Sequence, residues 1–68
     1  MIANDRELQA TFDRLARLQA QLAHLRNVES NPANYRLSAS GFIAEIDRMQ
    51  LAAREYLSFH PAELAATA

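Results

Sequence analysis

The side chains in this 68-residue chain with the chemistry to hold a metal or catalyse a reaction are few. They are His24 and His60, three Asp, five Glu and a small set of hydroxyls, with no cysteine. Carboxylate-bridged metal sites in helical bundles use inward-facing Glu together with Glu-x-x-His pairs. Gln21 and Leu57 stand three residues before the two histidines, so neither histidine completes that pattern. His24 falls opposite the leucine stripe of the first helix and is expected in solvent. His60 is expected to meet the last carbonyls of the second helix or to pack near Phe59. Without cysteine there is no thiolate zinc site, no disulfide and no thiol nucleophile. Ser38 and Ser40 read as helix caps rather than nucleophiles. Glu45, Asp47 and Glu55 fall outside the apolar stripe, where solvation activates no acid or base. Gly41 is the only glycine, which rules out a glycine-rich phosphate loop. The chain therefore reads as a non-enzyme, with no catalytic, metal or cofactor residues.

Charge narrows the choice of partner. All seven basic residues are arginines, and the net charge is −1. Broad affinity for nucleic acid needs a basic surface that displaces counterions, and this balance lacks one. The sharpest basic feature is Arg14 and Arg17, with Gln21 and His24, at helical spacing on the outer face of the first helix. Arginines so placed can grip phosphates or carboxylates, although Asp13 lies among them. Two further outliers are Leu51, opposite the stripe of its own helix, and the bulky Tyr35-Arg36-Leu37 segment. Tyr35 and Leu37 are expected to plug the end of a bundle. Arg14, Arg17, Gln21, Tyr35 and Leu51 form the candidate partner surface. The opening residues lack the apolar stretch of a signal peptide, and no run approaches the ~18 apolar residues of a membrane span. The expectation is a cytoplasmic protein with no membrane contact.

These residues must be carried on helices. Leu8, Phe12, Leu15, Leu18, Leu22 and Leu25 recur at steps of three and four, the spacing of one helical face. As heptads, Leu8, Leu15 and Leu22 take one inner position while Thr11, Leu18 and Leu25 take the other, with Phe12 widening the stripe. Asn4 with Glu7 forms a capping-box pattern, and Asp13 with Arg17 an i,i+4 pair. Pro32 then interrupts helical periodicity, so residues 29–38 are read as a loop. In the second helix the stripe is Phe42, Ile46, Met49, Ala53 and Tyr56, flanked by Ile43 and Leu57. The expected order is a helix over 4–28, a loop over 29–38, a helix over 39–58 and a tail over 59–68, in which Pro61 and Glu63 can start one more turn.

The fold class that follows is all-α: an antiparallel two-helix hairpin in a single domain spanning 1–68. Two helices leave part of each wide stripe in water, and pairing two hairpins into a four-helix bundle covers it. A homodimer is the expected assembly, joined through the residues of the two stripes. Within this frame, Asn4-Asp5-Arg6-Glu7-Leu8, Glu45-Ile46 and Arg54-Glu55-Tyr56-Leu57 resemble the helical pair that precedes the DNA-binding domain in bacterial helix-turn-helix antitoxins. The resemblance covers about residues 4–57 and implies dimerisation or partner binding. The 68 residues leave no room for the helix-turn-helix itself, so DNA recognition is not implied. Three functions follow: a self-associating interaction module of a bacterial type, an antitoxin-like chain ordered by a different protein, and a weak nucleic-acid binder through the outer arginines.

Overall fold

The computed structural model describes residues 1–66, with side chains described to Glu63. It consists of α1 (Asp5–Val28), α2 (Pro32–Leu57) and a short α3 (Pro61–Ala66). The two long helices pack side by side as an antiparallel hairpin. The Cα envelope measures 52 × 16 × 13 Å, one helix deep across its thin dimension.

α1 begins where the sequence places it. Asn4 is extended, and its Oδ1 accepts a hydrogen bond from the Glu7 N–H at 2.9 Å. Asp5 and Glu7 put negative charge on the first turn and Arg26 puts positive charge on the last, both complementing the helix dipole. The reciprocal arm of the capping box is another matter: Glu7 Oε2 is shielded from solvent without a hydrogen-bond partner among the described residues. Asp13 accepts from Gln9, 3.2 Å away on the preceding turn, instead of pairing with Arg17.

α2 starts seven residues earlier than periodicity predicts, at Pro32 instead of residue 39. The loop shrinks from 29–38 to Glu29, Ser30 and Asn31. The reason lies in the two faces of proline. Pro32 ends α1's reach but also fits the first position of a helix, where its missing N–H costs nothing. Asn31, held extended ahead of it, is the true cap: its Oδ1 accepts from Ala33 N–H at 2.9 Å and from Asn34 N–H at 3.3 Å. Ser38 and Ser40 are accordingly interior residues, not caps, and the Ser40 hydroxyl donates to the Leu37 carbonyl. Gly41 is likewise in mid-helix, not in a first turn.

The line of closest approach is set by Ala39, Ile46 and Ala53, seven residues apart on α2, with Leu15 opposite on α1; these four are the buried ones among the described residues. Alanine at two of the three α2 positions lets the helix axes approach. Around this line Leu8, Leu18, Leu22 and Leu25 on α1 and Tyr35, Phe42, Met49 and Tyr56 on α2 are half-buried. The inner positions of α2 thus alternate between 35, 42, 49, 56 and 39, 46, 53, a heptad pattern matching that of α1.

α2 ends at Leu57 and is capped by Ser58, whose N–H reaches back to the carbonyls of Arg54 and Glu55. His60 then caps the start of α3, accepting from Ala62 N–H at Nδ1 (3.0 Å), so its partner is the next helix and not the last carbonyls of α2.

Two substitutions test this helix assignment. Gly41 has ordinary helical backbone, and a Cβ there meets nothing within 4 Å. Gly41→Ala is expected to stabilise the protein by about 0.5–1 kcal/mol, read as a rise of several degrees in thermal midpoint. Asn31→Ala is expected to cost about 1 kcal/mol by the same measurement. If residues 32–38 were loop, Asn31→Ala would leave the midpoint unchanged.

Candidate protein-interaction surface

What the hairpin presents to its surroundings is apolar to an unusual degree. Met1, Phe12, Val28, Leu37, Ile43, Leu51, Leu57 and Phe59 are all exposed. The antiparallel heptad register sorts several of these residues onto the two long flanks of the helix pair.

One flank carries Glu7 and Arg14 on α1 and Glu45 and Ala52 on α2, and it is bridged. The Glu45 carboxylate lies 4.0 Å from the Arg14 guanidinium across the helix interface and also pairs with Arg48 on its own helix. Near the hairpin's open end the N-terminal arm lies along the same flank: half-buried Ile2 lines a concavity with Thr11, Met49 and Ala52. A neighbouring hollow of about 410 Å³ is lined by Met1, Ile2, Leu51, Ala52, Tyr56 and Phe59. The open end is tied by a second cross-helix contact, in which the Tyr56 hydroxyl donates to Asp5 Oδ1 at 2.7 Å. This bond is the main reason the Tyr56 phenol is held above the ordinary tyrosine range, with burial and the charges of Asp5 and Glu7 adding to it.

Among the described residues the opposite flank has no such bridge. Phe12 and Gln19 on α1 and Ile43, Gln50 and Leu57 on α2 follow one another along it. Phe12, Ile43 and Leu57 are 40%, 47% and 60% exposed. Between the helices a shallow groove reaches down to Leu15 and Ala53, with Phe12, Gln50, Arg54 and Leu57 forming its walls.

The residues expected to form the core or interface therefore divide in three. Leu15, Ile46 and Ala53 are buried within one chain. Leu8, Leu18, Leu22, Leu25, Phe42, Met49 and Tyr56 are half-covered, and Phe12, Ile43 and Leu57 are open. Of the expected partner residues, Arg14 is engaged with Glu45, while Arg17 and Gln21 are exposed on the outside of α1. Tyr35 is half-buried in the second turn of α2, but Leu37 is 77% exposed and plugs nothing. Leu51 is exposed, in the hollow with Met1 and Phe59. Ala39 is buried although the sequence pattern starts the helix at that residue and leaves it out of the stripe; its spacing of seven from Ile46 and of fourteen from Ala53 is the signal that places it there. The N-terminal arm gave no periodic signal, since two residues have no period.

Other chemistries find little here. Among the described residues no three His, Asp or Glu side chains come together as metal ligands. None of the described helices is long and apolar enough to cross a membrane. Comparison with known proteins finds no matching family, no matching curated protein and no matching solved structure.

The bond between Tyr56 and Asp5 predicts an alkaline effect. A raised phenol pKa in the folded state means stabilisation that is complete below the ordinary tyrosine value of about 10 and is lost as pH rises through the folded value. Chemical denaturation across that range should show falling stability, and Tyr56→Phe should flatten the fall. An identical alkaline profile in Tyr56→Phe would mean that the bond does not form in solution.

Proposed function

We propose that this chain is a non-enzymatic interaction module that works by self-association, two hairpins packing into a four-helix bundle. The observation that carries the reading is an excess of surface. By the scaling that compact monomers obey, a 7.6 kDa protein exposes roughly 4,300 Å². This chain exposes 5385 Å², roughly 1,100 Å² more than that scaling gives. Each partner in a standard protein interface buries about 800 Å². The excess is of the size that one interface removes. Eight large apolar side chains are among those exposed, and burial of apolar surface is worth about 25 cal/mol per Å². Small chains without disulfides or structural metals commonly gain their remaining stability from a second subunit, and this chain has no cysteine.

The geometry also weighs against the outer arginines as a nucleic-acid grip. The Arg14 guanidinium lies 4.0 Å from Glu45, and among the described residues Arg17 has no acidic partner.

Mass in solution measured with circular dichroism on the same sample tests the proposal. The expected result is a helical species at twice the chain mass. Leu22→Asp, which puts a carboxylate on the half-buried inner stripe, should abolish that species. A helical monomer, or a Leu22→Asp variant that is equally helical and still dimeric, overturns the bundle. A weakly helical monomer that gains helix on adding another protein would instead identify a chain completed by a different partner.

A further inference from the structure

We infer that the second copy docks on the unbridged flank, the one carrying Phe12, Ile43 and Leu57, and that the flank bridged by Arg14 and Glu45 faces away from the dimer interface. This assignment rests on the self-association proposed above and specifies where it happens.

Three observations favour that side. The first is the asymmetry of closure. An antiparallel helix pair has two equivalent flanks, and in this chain one is already occupied. Glu45 is held between Arg14 and Arg48 there, and Ile2 of the N-terminal arm covers the inner residues near the open end. Docking a copy on that flank would mean displacing the arm and stripping water from three charges, a desolvation that Coulomb attraction rarely repays in full. Among the described residues the other flank has no ion pair to desolvate, and Arg54 stands singly in its groove wall. Its groove leads straight to Leu15 and Ala53, so a side chain inserted there completes the burial that α1 and α2 leave unfinished.

The second observation is composition. The central flank positions Phe12, Gln19, Ile43 and Gln50 form an uncharged strip, with Leu57 toward the open end, while the same heptad positions carry Asp5, Arg26 and Arg36 at the ends of the flank. Interface centres are depleted in charge in this way and carry their charges at the rim. The third is the rim itself. Arg36 and Arg54 border the strip on α2 and Asp47 lies between them on the same side of the helix, so both signs are present. A surface with both signs can meet a copy of itself without like charges opposing throughout, and a net charge of −1 per chain adds little repulsion between copies.

The competing surface is the hollow formed by Met1, Leu51 and Phe59, on the other side of α2. The experiment therefore places one arginine on each surface and measures solution mass and helicity together. Ile43→Arg and, separately, Phe12→Arg should each reduce the mass from twice the chain to one chain. Leu51→Arg should leave the dimer intact. Ile43 and Phe12 are already partly in water, so the hairpin can accept the change. A protection assay covers the case in which either variant loses its helices. The chain has no cysteine, so Gln50→Cys and Ala44→Cys each introduce one addressable thiol into the otherwise unaltered protein. In the dimer the thiol at 50 should react with a maleimide much more slowly than the thiol at 44 on the outer face.

A dimer that persists in both Ile43→Arg and Phe12→Arg, a dimer lost in Leu51→Arg alone, or equal labelling at 50 and 44 overturns the choice of flank while leaving self-association standing. A wild-type chain that runs as a monomer overturns self-association and the flank with it.

Discussion

A helix with a single neighbour can bury only one narrow line of side chains, and almost everything in this molecule follows from that limit. α1 and α2 each carry an apolar stripe wider than the other can cover. Contact along the Leu15, Ala39, Ile46 and Ala53 line uses the centre of both stripes. The margins of the stripes must then be served by something else, and the two flanks do so differently. On one, charge pairs and the N-terminal arm replace apolar cover with polar and local cover. On the other, Phe12, Ile43 and Leu57 remain open. The difference between the flanks is the structural information that a helical hairpin of this size can encode.

The polar contacts serve orientation more than energy. An exposed ion pair such as Arg14 with Glu45 is worth little in water. Its geometric meaning is larger. Together with the bond from Tyr56 to Asp5 at the open end, it couples residues far apart in sequence and ties α1 to α2 in one register. Shifting that register by one residue would turn the leucines of α1 away from Ile46 and Ala53. Heptad packing already disfavours this slip, and the two cross-helix contacts add a polar cost to it.

Much of this was legible in the residues themselves. The helical hairpin and the extent of α1 follow from leucine periodicity and from Asn4, because cap and stripe agree. The start of α2 was missed for an equally definite reason: Pro32 is compatible both with a loop and with the first position of a helix, and only the hydrogen bonds made by the Asn31 side chain decide between them. Once those seven residues are helical, Ala39 joins the inner line, Tyr35 and Leu37 leave the supposed corner, and Ser38 and Ser40 lose their capping role. The separation of Phe12, Ile43 and Leu57 from the rest of the stripe needed coordinates. Periodicity tells which way a side chain points, but how far the neighbouring helix reaches around it depends on the spacing of the two axes. The cross-helix pairing of Arg14 with Glu45 depends on register for the same reason, and the contact of Ile2 lies on a segment with no regular pattern.

The three-residue connection from Glu29 to Asn31 has a bearing on the order of events as the protein forms. A link that short spans about 10 Å when extended, the distance between the axes of two packed helices, so it just suffices for α1 to pair with the α2 that follows it. The polar groups around it are met locally: Glu29 N–H bonds to Leu25, Asn31 N–H to the Glu29 carboxylate, and the first N–H groups of α2 to Asn31. Exchange of helices between chains would have to break these local hydrogen bonds. Contacts nearest the turn join residues close in sequence, the condition under which helical proteins fold fastest. Zippering from the turn outward uses contacts within one chain, so its rate does not depend on concentration, whereas any step that needs a second chain does.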